Sequence, residues 1–238
     1  MRASLGLVLV LLVAGCSLAP RGPSAVAHGT PIDAAPPPGP EECARLIRAD
    51  VVAAQRIRAE LRIDGIPSDD ATVQAAATDQ TADVATLGIP LRAAEKKAAE
   101  DKGFGVDVHS ALSLLVETGA PERFGGQWID PPGTERYVVA VVGADPATVA
   151  RARCVEGGDT RYVAARRSLA EGRALQDRIT TDWRKLEDEG IRLVSVGYDV
   201  ITGKVVLGVT GATDQVRARL VALYGDVDVQ ESGPIVPL

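Results

Sequence analysis

Residues 137–163 recur 67 positions later as residues 204–230, and this repeat constrains the fold more than any other feature of the chain. At that offset Val138 meets Val205, Val139 meets Val206, Val142 meets Val209, Val149 meets Val216, Gly158 meets Gly225 and Asp159 meets Asp226. In the first copy, residues 137–142 form a β-branched run suited to a buried strand, and residues 127–130, ahead of a Pro-Pro-Gly-Thr turn, supply its hairpin partner. Asp145 and Pro146 place a capping acid before a proline at the first helical position, and residues 162–165 return as a strand. The second copy keeps the order: strand 191–200, turn 201–204, strand 205–209, helix 213–223 and strand 227–230. The expected class is α+β, a helical N-terminal part followed by two helix-hairpin-helix-strand repeats with antiparallel sheet and helices on one face. One continuous mixed sheet without duplication is the alternative.

Upstream of the repeats the periodicity is helical. Glu41 and Glu42 lie in a first turn, and Leu46, Val51, Val52, Ile57 and Leu61 supply an apolar stripe for one helix running to about residue 61. Turns at 65–70 and 88–90 flank a short helix at 71–77. Residues 91–102 mix Glu95, Lys96, Lys97, Glu100, Asp101 and Lys102, as on a solvated helix, and residues 107–117 read as a further helix burying Leu112, Leu115 and Val116. Between the repeats, Ser168 and Glu171 make a capping box, and Leu175, Ile179, Trp183 and Leu186 recur at helical spacing until Gly190, with Trp183 read as core. The organisation is then a leader (1–15), a tether (16–40), a helical segment (41–120), a first repeat (121–165), a connecting helix (166–190) and a second repeat with tail (191–238).

Residues 5–14 are an apolar run of ten, shorter than a span across about 30 Å of hydrocarbon requires, and read as a secretory leader. Val13-Ala14-Gly15-Cys16 resembles the lipobox of bacterial lipoproteins, in which the cysteine is diacylglycerated and becomes the first residue. That resemblance implies an exported protein anchored to the outer face of the cell membrane through acyl chains on Cys16. Seven prolines in residues 17–40 favour an extended tether. Two further cysteines, Cys43 and Cys154, are then expected to pair, two buried free thiols being the alternative.

Little catalytic chemistry is legible. The two histidines, His28 in the tether and His109 on a helix, have no nucleophile at a useful spacing, since Ser110 points about 100° away from His109. No metal site, cofactor or catalytic residue is expected. Arg161, Arg166, Arg167 and Arg173 form a basic cluster with Glu171 and Asp177 interspersed, as on a solvated face. Glu187, Asp188 and Glu189 lack calcium-loop spacing, and the pairs Gly125-Gly126 and Gly157-Gly158 lack the context of a phosphate cradle. A net charge of -6 gives no basic surface for nucleic acid.

The segments Leu87-Gly88-Ile89-Pro90-Leu91-Arg92-Ala93-Ala94-Glu95, Phe124-Gly125-Gly126-Gln127-Trp128-Ile129-Asp130, 190–199 and Tyr224-Gly225-Asp226-Val227 resemble secreted proteins of actinobacterial type. Their repeats are similar to the pro-regions of secreted chymotrypsin-fold proteases such as the streptogrisins. The resemblance spans roughly residues 41–232 and implies a folding chaperone or inhibitor module; the Gly-Asp-Ser-Gly-Gly nucleophile segment of the protease is absent. A looser likeness, through Gly203-Lys204-Val205-Val206-Leu207-Gly208-Val209, is to BON-type envelope modules. The expected function is a non-enzymatic cell-surface lipoprotein acting as a binding or structural module, its partner the membrane through the lipid. The alternative is a trans-acting foldase or inhibitor of a secreted serine protease, its terminal residues 231–238 lying in the protease groove; an enzyme of unfamiliar type ranks third.

Overall fold

The computed structural model describes residues 31–32, 38–104, 117–130, 137–143, 145–156 and 160–233. Cys16, His28, His109, Ser110, Gly157, Gly158 and residues 234–238 lie outside them, as do the leader and nearly all of the tether. Among the described residues four helices come first: α1 (Pro40–Ala49), α2 (Val51–Leu61), α3 (Asp70–Thr78) and α4 (Ala93–Asp101). The single helix expected to reach residue 61 is two, because the Asp50 carboxylate accepts the Ala53 N–H at 2.9 Å and starts a new helix there. The first module follows with β1 (Phe124–Ile129), β2 (Tyr137–Val142), α5 (Pro146–Glu156) and β3 (Arg161–Ala165). The second comprises α6 (Leu169–Thr181), α7 (Trp183–Asp188), β4 (Arg192–Asp199), β5 (Lys204–Thr210), α8 (Asp214–Tyr224) and β6 (Val227–Glu231). The capping box closes as expected: the Glu171 N–H donates to Ser168 Oγ at 3.1 Å, and the Ser168 N–H to Glu171 Oε2 at 2.8 Å.

The class is α+β, with two separate three-stranded sheets in the orders β1-β2-β3 and β4-β5-β6. Each sheet is mixed: the hairpin is antiparallel, whereas the third strand joins parallel because a helix carries the chain back to the starting end of the sheet. The duplication holds in register. Phe124 pairs with Val141 and Gly126 with Ala140 across a bulge, and Leu193 pairs with Val209 and Ser195 with Gly208 across a bulge at the same place. Val139 opposite Tyr162 corresponds likewise to Leu207 opposite Val229. The equivalence therefore steps through offsets of 69, 68 and 67 along the module. A uniform offset of 67 puts Val138 on Val205, yet Val138 lies on the face of its sheet away from the main helical core and Val205 lies inside its module's helical core. Valine-rich strands give identities at any slip, and a slip of one turns every side chain to the other face.

The main core joins the N-terminal helices to the first sheet through Ile57, Val73, Leu87, Ile89, Leu91, Phe124, Val139, Val141 and Tyr162. At its centre Arg58, on α2, forms a buried two-pronged ion pair with Glu95, on α4, at 2.8 and 3.0 Å. The same guanidinium donates to the carbonyls of Pro67 at 2.9 Å and Pro90 at 2.6 Å, so one side chain closes both proline turns. The helix read as wholly solvated thus turns Glu95 inward, while Lys96–Glu100 and Lys97–Asp101 pair on its outer side. Cys43 on α1 and Cys154 on α5 are bonded across 111 residues with Cα atoms 5.4 Å apart. Closing a loop of that length removes on the order of 4–5 kcal/mol of unfolded-chain entropy.

The strand edges are capped in parallel ways. Pro31 bridges to Val163 and the Ile32 N–H donates to the Tyr162 carbonyl at 3.1 Å, so the end of the tether docks on β3. In the second module the equivalent carbonyl, that of Val229, receives the Arg217 guanidinium from α8. The second core gathers Ile179, Leu186, Leu193, Val205, Leu207, Val209, Leu220 and Val229, with Trp183 partly buried against it. Burial and a hydrogen bond to Asp182 push the Tyr224 hydroxyl up to about 12. Among the described residues no helix is long and apolar enough to cross a membrane.

Arg58→Met leaves Glu95 charged, buried and unpaired, and is expected to cost about 3–5 kcal/mol in urea unfolding. Arg58→Met with Glu95→Leu should recover much of that loss; a single variant as stable as wild type would contradict the role given to the pair.

Candidate functional site

The helices of the first module cover one face of its sheet. On the other face Val138, Ala140 and Val163 are also buried, with Trp128 and Ala165 against them. The second module approaches this sheet at β1, through α6 and through the tip of the β4–β5 hairpin at Gly126. The tip is stiff: Asp199 accepts the Ile201 N–H at 2.9 Å and the Thr202 hydroxyl at 2.9 Å, and Gly203 sits at φ +66° with its N–H on the Asp199 carbonyl. Val200 enters the space left by Gly126, where a Cβ would fall 2.8 Å from the Val200 side chain. Gly125 is crowded within its own sheet instead, its Cβ falling 2.4 Å from Ala165 Cβ and 3.1 Å from Ala140 Cβ. Tyr198 lies over Gly172 of α6, and its hydroxyl reaches the Gly125 carbonyl only at 3.5 Å. Gly126 is thus a close-approach site between modules.

Beside this joint lies a cleft of about 630 Å³. It is lined on the side of the first sheet by Trp128, Ala140, Val163 and Ala165, of which Ala140 and Val163 are themselves buried, and on the other side by Tyr198, Thr202 and Gly203. Arg166, Lys204 and Asp228 reach it from the rim. Arg166 and Lys204 are both bound to Asp226, at 3.0 and 3.1 Å, and Arg167 makes a 3.5 Å contact with the Asp226 carbonyl. Burial raises the Asp226 carboxyl, but Lys204 and Arg166 more than reverse this and hold it below the usual carboxylate range. Asp228 accepts from Gln230 Nε2 at 2.7 Å. Trp128 Nε1 is buried without a hydrogen-bond partner. Burial raises the Tyr198 hydroxyl, so it stays a neutral donor at pH 7.

The basic cluster expected at 161–173 is dispersed by the fold. Arg161 goes to Asp130 at 3.7 Å, and Arg166 and Arg167 go to Asp226 at the cleft, whereas Arg173 is exposed on α6. Glu189, from the acidic run, pairs with Arg219 at 3.0 Å. A second cleft of about 330 Å³ lies between α1, α2 and α5, where Arg151 pairs with Asp50, and Arg56 with Glu122 at 3.1 Å. Burial brings Arg151 down to about 10, and its partner offsets the charge. Among the described residues no group of three or more His, Cys, Asp or Glu is placed to hold a metal ion. The larger cleft was not visible in the sequence; the usable signal was that both alternating sets of residues 137–142 are apolar, so that a strand covered on both faces needs cover from elsewhere in the chain.

No protein-family model matches the chain, and no curated protein matches it.

Asp226 is a depressed carboxylate, so its contribution to stability is present above the unfolded value of about 3.9 and is lost as pH falls through the lower folded value. The Tm difference between wild type and Asp226→Asn should be positive at pH 7 and shrink as pH falls below the unfolded value of about 3.9. A difference independent of pH would exclude the ion pairs as its source.

Proposed function

We propose that the protein is a non-enzymatic, exported binding module held at the outer face of the cell membrane by lipidated Cys16, with the cleft between its two modules as the binding site. The observation that carries this reading is the cleft, whose volume of about 630 Å³ lies within the range of about 300–1,000 Å³ typical of ligand sites. Its lining suits holding rather than reacting: alkyl side chains and aromatic rings line it, and the two rim cations share one carboxylate kept ionised. The Cys43–Cys154 bond suits an oxidising compartment. The docking of Pro31 and Ile32 on β3 leaves residues 17–30 as the spacer between anchor and fold.

One observation favours the protease-directed alternative, a foldase or inhibitor acting in trans. β6 is an edge strand, and Glu231 fixes its end by accepting the Gly211 and Ala212 N–H groups at 2.9 and 2.6 Å, so residues 234–238 follow from an anchored point. Such an edge can accept a further strand, although Arg217 already blunts it at Val229.

Capture from culture medium and envelope extract on immobilised residues 17–238 tests both. A ligand bound by wild type and lost on Thr202→Trp, which plugs the mouth of the cleft, is the expected result. A serine protease retained by both forms would favour the alternative, and turnover of the captured ligand would contradict a non-enzymatic role. Cys16→Ala in cells should move the protein from the membrane to the soluble fraction; unchanged membrane retention would refute the anchor.

A further inference from the structure

The end of the tether meets the first sheet in a fixed register. Pro31 bridges antiparallel to Val163, and the Ile32 N–H donates to the Tyr162 carbonyl at 3.1 Å. The side chains follow the pleat: Ile32 packs against the main helical core, as Tyr162 does, so Pro31 stands with Val163 on the opposite face. Alternate residues of a strand turn their backbone groups to the same edge, so Ala164 offers its N–H and C=O along the edge where Tyr162 holds Ile32. Antiparallel pairing carries the chain ahead of Pro31 towards Ala164, Ala165 and Arg166, three residues that line the cleft. In a tether otherwise rich in proline, residues 24–30 (Ser-Ala-Val-Ala-His-Gly-Thr) contain none, so each has the N–H that a strand needs. Pro31 itself falls at a position whose N–H would point away from β3, because the next N–H, that of Ile32, points towards it.

Resting on the reading of Cys16 as the lipid anchor, we propose that the tether is a releasable strap: residues 28–30 continue the strand begun by Pro31 and Ile32 along the β3 edge to Arg166, as a fourth strand of the first sheet. Thr30 then exchanges both backbone hydrogen bonds with Ala164, and Gly29 lies opposite Ala165. The anchor's chain leaves the fold at the Arg166 end of β3, beside the cleft. The second module offers no rival seat, because Arg217 occupies the Val229 carbonyl that corresponds to Tyr162. Docking also sets the reach of the domain. With the strap in place the chain from Cys16 to His28 spans at most about 40 Å, and with it released the chain from Cys16 to Pro40 spans about 80 Å. Few backbone bonds hold the strap, with Pro31 and Ile32 as its apolar contacts, so it opens at a small fraction of the cost of unfolding the domain. Release stops at α1, which Cys43–Cys154 fastens to α5.

The test is a pair of cysteines in the full lipidated chain, Thr30→Cys with Ala164→Cys, which the register sets opposite each other at a Cα separation of about 5.5 Å, suited to a disulfide. A 30–164 disulfide recovered by peptide mass spectrometry is expected. The off-register pair, Gly29→Cys with Ala164→Cys, puts the two side chains on opposite faces and should link at least about tenfold less. Equal linking of both pairs, linking of neither, or a bond between two copies of the chain overturns the strand. Release is read by neutron reflectometry on a supported bilayer. Ile32→Pro, which removes the N–H held by Tyr162, should move the protein layer outward by on the order of 10 Å relative to wild type. Thr30→Pro is the second variant should the first fail to fold, and should act in the same direction. A layer that stays at the wild-type height in both variants overturns the strap. The cysteine pair is also placed in Cys16→Ala, where it should link as before. Linking there together with unchanged membrane retention would sink the anchor and keep the strand, whereas release from the membrane without linking would do the reverse.

Discussion

A three-stranded sheet with helices on one side must either bury its other side or leave it polar, and the two modules of this chain take different options. In the first, Val138, Ala140 and Val163 are buried on the far face, and the second module approaches that sheet at β1. In the second, the equivalent positions Val206, Gly208 and Gln230, with Ser195 and Asp228, carry little apolar bulk and need no further cover. The joint, the crowded Gly126 and the cleft all follow from this asymmetry.

The other side of the first sheet is built to stay put. The N-terminal helices cover it, Cys43–Cys154 fastens α1 to α5, and Arg58 with Glu95 holds two proline turns around one buried charge pair. Pro31 and Ile32 close the β3 edge. Where the second module lacks such a strand, Arg217 occupies the equivalent carbonyl. One edge problem is thus solved once by backbone and once by a side chain, each leaving fewer open groups for unwanted pairing.

Local chemistry was the legible part of the sequence. The Ser168–Glu171 capping box, the Asp145 cap, the turn at 201–204 and the β-branched strands all formed where their residue types required. The helix breaks at Asp50 and Asp182 were legible only weakly, because an aspartate inside an apolar stripe signals a new start only if its carboxylate turns to the backbone, as Asp50 does. Register was the least legible. Residues 137–142 are apolar on both faces, so neither side could be assigned from pattern, and identities at a uniform offset of 67 matched the wrong faces of β2 and β5. The cleft was hidden for the same reason: its lining includes Trp128, Ala140 and Val163, which look like ordinary core until the second module is placed beside them.

The central claim is that Val200 of the second module fills the space above Gly126 of the first. A double-mutant cycle in urea unfolding between Gly126→Ala and Val200→Gly tests it most directly. Gly126 stands at φ +131°, so alanine there is strained in either background, and that cost cancels from the cycle. The added methyl should cost more against Val200 than against glycine at that position, with a coupling of about 1 kcal/mol or more. Additive effects, within about 0.3–0.5 kcal/mol, would contradict the joint and the cleft that depends on it.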